Sequence, residues 1–370
     1  MRTVGVEEEL LLVDIHDGRP RSVSGRILVR AAQDLPPSAE HAACGSLDAE
    51  FRRQQLEART APVAEMAMLD AELRLWRSRA IALARQAGAN VAALAMSPLP
   101  VRPSTYPKPR YLQLHERYGI TARQHLTCGC HVHVSVESEE EGVGVIDRLR
   151  IWLPTLLALS ANSPFSEGQD SGFASFRSQA QGRWPSNGPP DIFGSATAYH
   201  RLVDDMLASG VLLDKAMVYF DARLSHHHPT VEIRTADVCL EVGDTVLLAA
   251  LCRGLVDTAA ECWNAGAPPP PVPSSMLRLA SWQAGREGVD GRLLDPRTHR
   301  PVPAARVVAQ LVEHIRPALV RNGDACLVEE GVERILSRGS GATRQRRMYA
   351  RTGRLVDVVA QAVRLTAGHD

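Results

Sequence analysis

The sequence has no excess of charge of either sign, because its 370 residues contain 42 basic and 42 acidic side chains. Proteins that bind nucleic acids or membrane surfaces usually carry a basic excess, so the composition predicts neither kind of partner. No apolar run reaches the ~18 residues of a membrane-spanning helix, and the first residues enter a strand pattern instead of a signal peptide. Any charged site must therefore be local.

Paired cysteine motifs are also missing. The seven cysteines are scattered without a CxxC pair, and Cys128 and Cys130 are too close in sequence for a normal disulfide. We therefore expect a reduced, cytoplasmic protein. Since 45% of the residues are hydrophobic, we also expect a large core in a single domain over residues 1–370. A proline-rich linker at 265–275 should lead into a mostly helical part from about residue 276.

What the sequence does contain is a set of segments that alternate apolar and ionisable residues, the pattern of half-buried strands. The four segments are residues 3–13 with Glu7 and Glu9, 50–60 with Gln55, Glu57 and Arg59, 127–136 with His131 and His133, and 229–237 with Glu232 and Arg234. Amphipathic helices follow or separate them, for example at 65–87 and 143–161. We therefore predict an α+β fold, in which helices pack on the apolar back of an antiparallel sheet and its front is a carboxylate-lined cleft.

Carboxylates in that number cannot stay unpaired inside a cleft. Glu7 and Glu9 would lie ~7 Å apart along one strand and would repel unless a cation sits between them. A His-x-His pair often binds zinc, but glutamates as the remaining ligands favour Mg²⁺ or Mn²⁺. An exposed acidic edge or an ordinary salt-bridged strand explains each segment alone. Together they favour two or three cations that hold a nucleotide triphosphate, and no GxxxxGK[ST] P-loop is present.

Several segments leave alternatives open. Glu50 lies seven residues before Glu57 and reaches the same cleft only if the chain bends, so exposure to solvent is an equal alternative. Arg177 ends a Gly/Ser/Asn/Pro-rich loop, where it contacts an anionic substrate or merely pins the loop. Residues 137–141 are interpreted as a solvated loop and His226–His228 as a partly exposed turn. The basic run Arg344–Arg347 is interpreted as a solvated helix face, with a phosphate contact as the weaker alternative.

Eight motifs resemble one known family, the bacterial carboxylate–amine ligases that include the type 2 glutamate–cysteine ligases. They are GVEEE at 5–9, QLEART at 55–60, CGCHVHV at 128–134, LSANSPF at 159–165, GFASFR at 172–177, PTVEIRTAD at 229–237, SWQAGREG at 281–288 and GSGATRQR at 339–346. The resemblance extends from about residue 3 to residue 365. It implies the glutamine-synthetase-like fold, with a curved antiparallel sheet whose polar concave face holds ATP, metal ions and an acyl phosphate.

The resemblance also implies roles for individual residues. The metal ligands would be Glu7, Glu9, Glu57, His131 and Glu232. Arg177 and Arg234 would bind phosphate or a substrate carboxylate. Weaker candidates for substrate or nucleotide binding are Glu50, Arg59, His133 and Arg223. The expected enzyme uses ATP and Mg²⁺ or Mn²⁺ to join glutamate to cysteine. Its partners would be small molecules, with a homo-oligomer as an open option. A ligase for another acid or amine, a metal-dependent amidohydrolase and a catalytically silent binding protein are the alternatives.

Overall fold

The computed structural model describes residues 1–33 and 45–369, and its main sheet is organised around the long strand β1. The strands within those residues are β1 (Val4–Asp14), β2 (Ser46–Asp48), β3 (Gln55–Arg59), β4 (Ala89–Ala92), β5 (Gly129–Ser135), β6 (Phe165–Ser166), β7 (Gln169–Asp170), β8 (Ala222–Leu224), β9 (Thr230–Asp237), β10 (Arg292–Leu294) and β11 (Pro301–Pro303). The order in the main sheet is β2-β3-β1-β5-β9-β8, and β4 pairs with the C-terminal end of β1. All neighbouring strands are antiparallel, as the sequence predicts.

Helices cover the apolar side of this sheet. Within the described residues they are α1 (Ser24–Gln33), α2 (Met66–Gln86), α3 (Pro109–Arg117), α4 (Gly119–Gln124), α5 (Glu139–Leu149), α6 (Leu153–Ser160), α7 (Phe176–Gln181), α8 (Ala196–Ala208), α9 (Val242–Asn264), α10 (Ser274–Glu287), α11 (Ala304–Asn322), α12 (Ala325–Arg338), α13 (Gly341–Thr352) and α14 (Leu355–Thr366). Helix α9 is apolar on most of its surface, as expected for a helix inside a core. It contacts β1 and β5 as well as α2, α5, α6, α11 and α12.

The alternation in the strands explains which face is buried. Val4, Val6, Val132 and Ile233 are almost completely buried and belong to the core that includes α5, α6 and α9. The ionisable neighbours of these residues therefore point to the opposite face of the sheet. The exception is Glu8, which points into the helical side and binds Arg77 of α2 through two hydrogen bonds of 2.7 and 2.8 Å.

Several predicted boundaries are confirmed or shortened. The predicted helix at 143–161 is broken as expected near Pro154, which lies in the first turn of α6, where its missing N–H does no harm. The second predicted strand begins at Gln55 and not at residue 50, because residues 51–54 form a turn. The strand predicted at 91–96 is the shorter β4, and the C-terminal part also contains the β10–β11 hairpin.

One prediction is confirmed only in part: residues 137–140 are exposed, but the helix α5 begins at Glu139 and Glu141 is buried. The Ser138 side chain accepts a hydrogen bond from the Glu141 amide and caps α5, whose first turn is acidic. Both features stabilise a helix N-terminus. Glu141 is buried and binds Arg2 with a 2.5 Å contact, so part of this acidic run belongs to the core.

Two further expectations concern the described residues as a whole. Their six cysteines are all free, and Cys44 lies outside the described residues. Among the helices that the structure describes, none combines the length and the apolar character that crossing a lipid bilayer requires.

Candidate functional site

The register of the sheet brings the four predicted segments together on its polar face. The paired positions are Glu7 with Arg59 and with His131, Glu9 with Glu57, and His133 with Glu232. Directly paired side chains lie close enough to interact. Alternating residues of four neighbouring strands therefore form one continuous ionisable surface.

Glu7, His133 and Glu232 form the one group of metal-type ligands found among the described residues. Each offers one ligand atom, and these three atoms lie within 4.8 Å of one another. The Nδ1 atom of His133 is 2.9 Å from the Thr230 hydroxyl, which fixes the ring, while its buried Nε2 has no hydrogen-bond partner. A metal-binding histidine usually has this arrangement, with one nitrogen engaged and the other directed at the ion. The donor set therefore fits a divalent cation.

The two histidines of the His-x-His pair differ in their surroundings. The Nδ1 atom of His131 lies 3.4 Å from Glu7 and 3.5 Å from the Arg234 guanidinium. Burial and the charge of Arg234 lower the pKa of His131 to about 4, so its ring is neutral at pH 7. The sequence favoured His131 as the ligand and His133 as a weaker candidate. The geometry instead places His133 in the ligand group, with His131 beside it.

A second set of carboxylates lies next to this group. Burial raises the pKa of Glu57 well above its ordinary value, and the nearby charges of Glu7 and Glu50 raise it further. Burial and the charge of Glu9 raise the pKa of Glu50 to about 7. Burial also raises the pKa of Glu9, although Arg177 and a 2.6 Å hydrogen bond from the Gly129 amide oppose the shift. Burial is thus the main cause that raises the pKa of all three carboxyl groups, and repulsion from neighbouring acids adds to it.

Glu50 reaches the cleft because the chain bends after it. Arg52 is fully buried and its Nε donates to the carbonyl of His125 at 2.7 Å, while the Arg53 amide donates to the carbonyl of Ser104 at 2.8 Å. These contacts hold the turn between Glu50 and β3. Of the two alternatives for Glu50, the structure therefore supports the one in which it lies beside Glu57.

Glu232 lies between two arginines. Arg223 Nε donates to Glu232 Oε2 at 2.7 Å, and Arg234 donates to Glu232 Oε1. Burial alone would raise the pKa of Glu232, but the two guanidinium groups lower it below its ordinary value. The two arginines thus favour the charged form of Glu232, whereas Glu57 has one partner, Arg59, which also contacts Glu7 and Asp48.

Arg177 is held against the end of β9 by the loop that precedes it. Asp237, the last residue of β9, accepts hydrogen bonds of 2.8 Å from the Asn162 amide and from the hydroxyls of Ser163 and Ser175. Arg177 lies 3.7 Å from Asp237 and donates to the carbonyls of Arg234 and Thr235, but its buried Nε has no partner. The loop therefore positions Arg177. Arg177 in turn contacts Asp237, the residue that holds the loop.

The cleft has two chambers. The acidic chamber, of about 470 Å³, is lined by Glu7, Glu9, Glu50, Glu57 and Glu232. The arginine chamber, of about 310 Å³, is lined by Arg177, Arg183, Arg234 and Arg278, with Trp282. Four residues line both chambers: His131, Gln181, Tyr219 and Arg234. An anion in one chamber would thus lie next to cations bound in the other.

Sequence analysis missed several residues of this site. Gln181, Tyr219 and Arg278 carry no local pattern that separates them from surface residues. Gly129 did have a signal, as the glycine of the Cys-Gly-Cys segment. A Cβ atom there would lie 2.3 Å from an Arg177 nitrogen, so only glycine leaves room for the arginine.

Two other predicted segments lie near or behind the cleft. His226–His228 form the expected exposed turn, and all three line the rim of the acidic chamber. The run Arg344–Arg347 is not simply solvated. Arg346 makes two contacts of 2.7 and 2.8 Å with Asp170, and Gln345 donates to Asn162, so this run fastens the loop that carries Arg177.

Known proteins resemble this chain over almost its whole length. The family model described as glutamate–cysteine ligase family 2 matches residues 3–361. A protein of Streptomyces avermitilis named "Putative glutamate--cysteine ligase 2-1" is 53% identical over 368 residues and covers 100% of both chains. A protein of Streptomyces coelicolor named "Putative glutamate--cysteine ligase 2" is 53% identical over 366 residues and covers 99% of both.

Solved structures share the fold at much lower sequence identity. A glutamate–cysteine ligase from Francisella tularensis, solved in complex with AMP, has a TM-score of 0.69 at 12% identity, over 100% of this chain and 89% of the other. The ligase PafA, solved with the ubiquitin-like protein Pup, has a TM-score of 0.56 at 14% identity, over 98% and 72%. These likenesses establish the glutamine-synthetase-like fold that the sequence predicts.

Proposed function

The chain belongs to glutamate–cysteine ligase family 2, a family of ATP-dependent ligases that form carbon–nitrogen bonds, and we propose that it joins glutamate to cysteine through an acyl phosphate. One observation carries this proposal: a chamber lined with carboxylates and a chamber lined with arginines meet at His131 and Arg234. The acidic chamber would hold the cations that bind a triphosphate. The arginine chamber would supply the groups that neutralise a transferred phosphoryl group.

We propose that the acidic chamber holds two or three Mg²⁺ or Mn²⁺ ions. The ligands would come from Glu7, Glu9, Glu57 and Glu232, with Glu50 as a further carboxylate and His133 or His131 as the nitrogen donor. The Nε2 of His133, which has no hydrogen bond and lies 3.7 Å from Glu7, and the raised pKa values of Glu50 and Glu57 support this assignment, because bound cations would satisfy all three groups. When bound, such ions neutralise phosphate oxygens and orient a nucleotide for transfer.

The arginines would act on the groups that react. Arg234 lies between Glu232 and His131, so its guanidinium can reach a phosphoryl oxygen beside the acidic chamber. Arg177 is fixed by Asp237 and the carbonyls of β9, and because it lines the arginine chamber its guanidinium would bind a carboxylate or phosphate oxygen there. Preorganised donors of this kind stabilise charge that develops during transfer. Arg59 and Arg223 would mainly keep Glu57 and Glu232 in place.

The proposed reaction has two balanced steps. The γ-carboxylate of glutamate attacks the γ-phosphorus of ATP and forms an acyl phosphate, and ADP leaves. The amine of cysteine then attacks the acyl carbon, phosphate leaves, and the nitrogen loses a proton as the amide forms. No side chain needs to act as a nucleophile, so catalysis depends on positioning and on charge.

The test is a screen for ADP release by the purified chain with Mg²⁺, ATP and glutamate, across amino acids and simple amines. Cysteine should give the highest rate, with one amide formed per ADP. Turnover with another acid or amine would change the proposed substrates, while the assignment as a ligase would stand. Cleavage of amides without nucleotide would instead support the amidohydrolase that a His-x-His pair also allows.

A further inference from the structure

A second cavity lies on the helical side of the molecule, away from the cleft. Its volume is about 470 Å³, which is within the usual range for small-molecule sites. Its apolar walls come from α5, α9 and the proline-rich linker, and include Leu149, Leu255, Ala259 and Val272. None of its lining residues lines either chamber of the cleft.

Three buried nitrogen atoms around this cavity have no hydrogen-bond partner among the described residues. They are Nε of Arg148, Nε1 of Trp152 and Nε2 of His299. Trp152 is only 2% exposed, so its indole N–H cannot reach bulk solvent. Leaving a buried donor unsatisfied is unfavourable, and three around one cavity require a common explanation.

The surrounding contacts hold these groups in place. The ring of Trp152 stacks on His314 with the centroids 5.3 Å apart. Arg148 binds the carbonyls of Gly144 and Ala267 through its two terminal nitrogens, while its buried Nε has no partner among the described residues. His299 has a positive φ of 56°, an uncommon conformation that places its ring at the end of the β10–β11 connection. The stacking and the carbonyl contacts therefore hold the donors of Trp152 and Arg148 in place.

The charge of the lining has one sign. Arg148 and Arg297 carry positive charges, His299 and His314 supply ring nitrogens, and no aspartate or glutamate is among the lining residues that the structure describes. Arg297 is exposed at the rim, where it can meet an entering anion. A zwitterionic amino acid is disfavoured, because its ammonium group would find no carboxylate here.

We propose that this cavity binds a small monocarboxylate with an apolar body, such as an aromatic or medium-chain acid. The apolar body packs against Leu255, Ala259 and the linker prolines. The carboxylate accepts hydrogen bonds from the indole N–H of Trp152 and from the guanidinium groups of Arg148 and Arg297. This ligand class differs from the substrates of the cleft, whose acids and amines are strongly polar.

Calorimetric titration of the full chain with 3-phenylpropionate and with octanoate tests the proposal. The neutral amide 3-phenylpropanamide is the matched control ligand, because it keeps the shape and loses the charge. We expect the acids to bind, and the amide to bind at least about 10-fold more weakly. Saturating Mg²⁺ and ATP should leave the affinity unchanged, since the cavity is separate from the cleft.

Two variants assign the contacts. Arg297→Gln should weaken binding of 3-phenylpropionate at least about 10-fold, and Trp152→Phe, which keeps the ring and removes only the donor, about 3-fold or more. Arg300→Gln is the matched control, because Arg300 is exposed in the same β10–β11 connection and does not line the cavity. The proposal is overturned if neither acid binds, if the amide binds as well as the acid, if ATP displaces the acid, or if Arg297→Gln behaves like Arg300→Gln.

Discussion

Glu8 and its neighbours Glu7 and Glu9 carry carboxylates on opposite faces of one strand, and the two faces differ in how much positive charge surrounds these carboxylates. On the helical face, Glu8 is fully buried between Arg77, which binds both of its oxygens, and the hydroxyl of Thr245 at 2.7 Å. Arg77 also donates to the carbonyls of Cys239 and Leu240. This carboxylate is completely neutralised and hydrogen-bonded by the chain itself.

The front face has too few cations for its acids. Arg59 is shared by Glu7, Glu57 and Asp48, and Glu50 has no arginine within ion-pair distance among the described residues. Burial raises the pKa values of Glu9, Glu50 and Glu57, and repulsion between neighbouring acids raises them further. A buried carboxylate with its own arginine therefore has a structural role. A buried carboxylate whose pKa is raised, because burial and neighbouring acids outweigh the positive charge around it, indicates a site for a cation from solution.

The largest effect should come from removing a front carboxylate that shares its arginine with two other acids. Glu57→Gln should reduce ADP release about 1000-fold or more, because the proposed metal site loses a charged ligand. The melting temperature without metal should stay the same or rise, since glutamine carries no charge and removes the repulsion from Glu7 and Glu50. A coupled ADP assay and a melting curve on one preparation check both effects. ATP turnover near the wild-type rate would show that the metal site is misplaced.

The matching change on the back face should affect stability instead. Arg77→Met should reduce the free energy of unfolding by about 3–5 kcal/mol, because Glu8 is left buried without its partner. Urea denaturation measures this loss. The double variant Arg77→Met with Glu8→Gln should recover much of it, since no charge then remains buried. A loss below about 1 kcal/mol in the single variant would mean that the two faces do not differ as described.

Arg234→Lys tests the arginine that lines both chambers. Lysine offers a point charge where arginine offers a rigid fork of donors, so kcat should fall by about 2–4 kcal/mol, or ~30- to 1000-fold, with a smaller effect on ATP binding. Arg223→Lys is the matched control, because Arg223 binds the same Glu232 but lies away from the arginine chamber. It should lower the melting temperature more than kcat. If Arg234→Lys lowers only stability, Arg234 is a structural partner of Glu232.

The comparison of the two faces also shows what the sequence could predict. The period of two correctly placed Glu7, Glu9, Glu57 and Glu232 on one face, because strand geometry alone fixes that alternation. The partner of Glu8 could not be predicted, since Arg77 lies 69 residues further along on a helix whose packing depends on the whole fold.

The same limit applies to the end of β9. The sheet register shifts between Cys130 and Val132, so that β9 contains an extra residue between Ile233 and Ala236. This bulge places Asp237 opposite Gly129, on the same face as His131, although strict alternation would put it with Val231 and Ile233. A single inserted residue of this kind leaves no local signal. The role of Asp237 as anchor of the Arg177 loop was therefore invisible in the sequence.

The smallest expected effect is a pH dependence that only the front face should show. In the folded protein without metal the pKa of Glu50 is about 7, against an ordinary value of 4.5. Between these values the unfolded chain has released the proton that the folded chain keeps, so stability is fully present below pH 4.5 and is lost as pH rises through 7. One such group gives a slope of at most about 1.4 kcal/mol per pH unit.

Urea denaturation in EDTA at several pH values should reveal this slope as the difference between wild type and Glu50→Gln. His125, whose pKa burial lowers to about 3, gives a slope of opposite sign, but it is common to both proteins and cancels in the difference. Millimolar Mg²⁺ should remove the difference in slope, because a cation beside Glu50 favours the charged carboxylate. Glu8→Gln is the control from the back face, because its effect on stability should not depend on Mg²⁺.

If the stability curves of wild type and Glu50→Gln are parallel, Glu50 is exposed to solvent, which is the alternative that the sequence left open. A slope that persists in Mg²⁺ would place the cations away from Glu50, nearer to Glu7, His133 and Glu232.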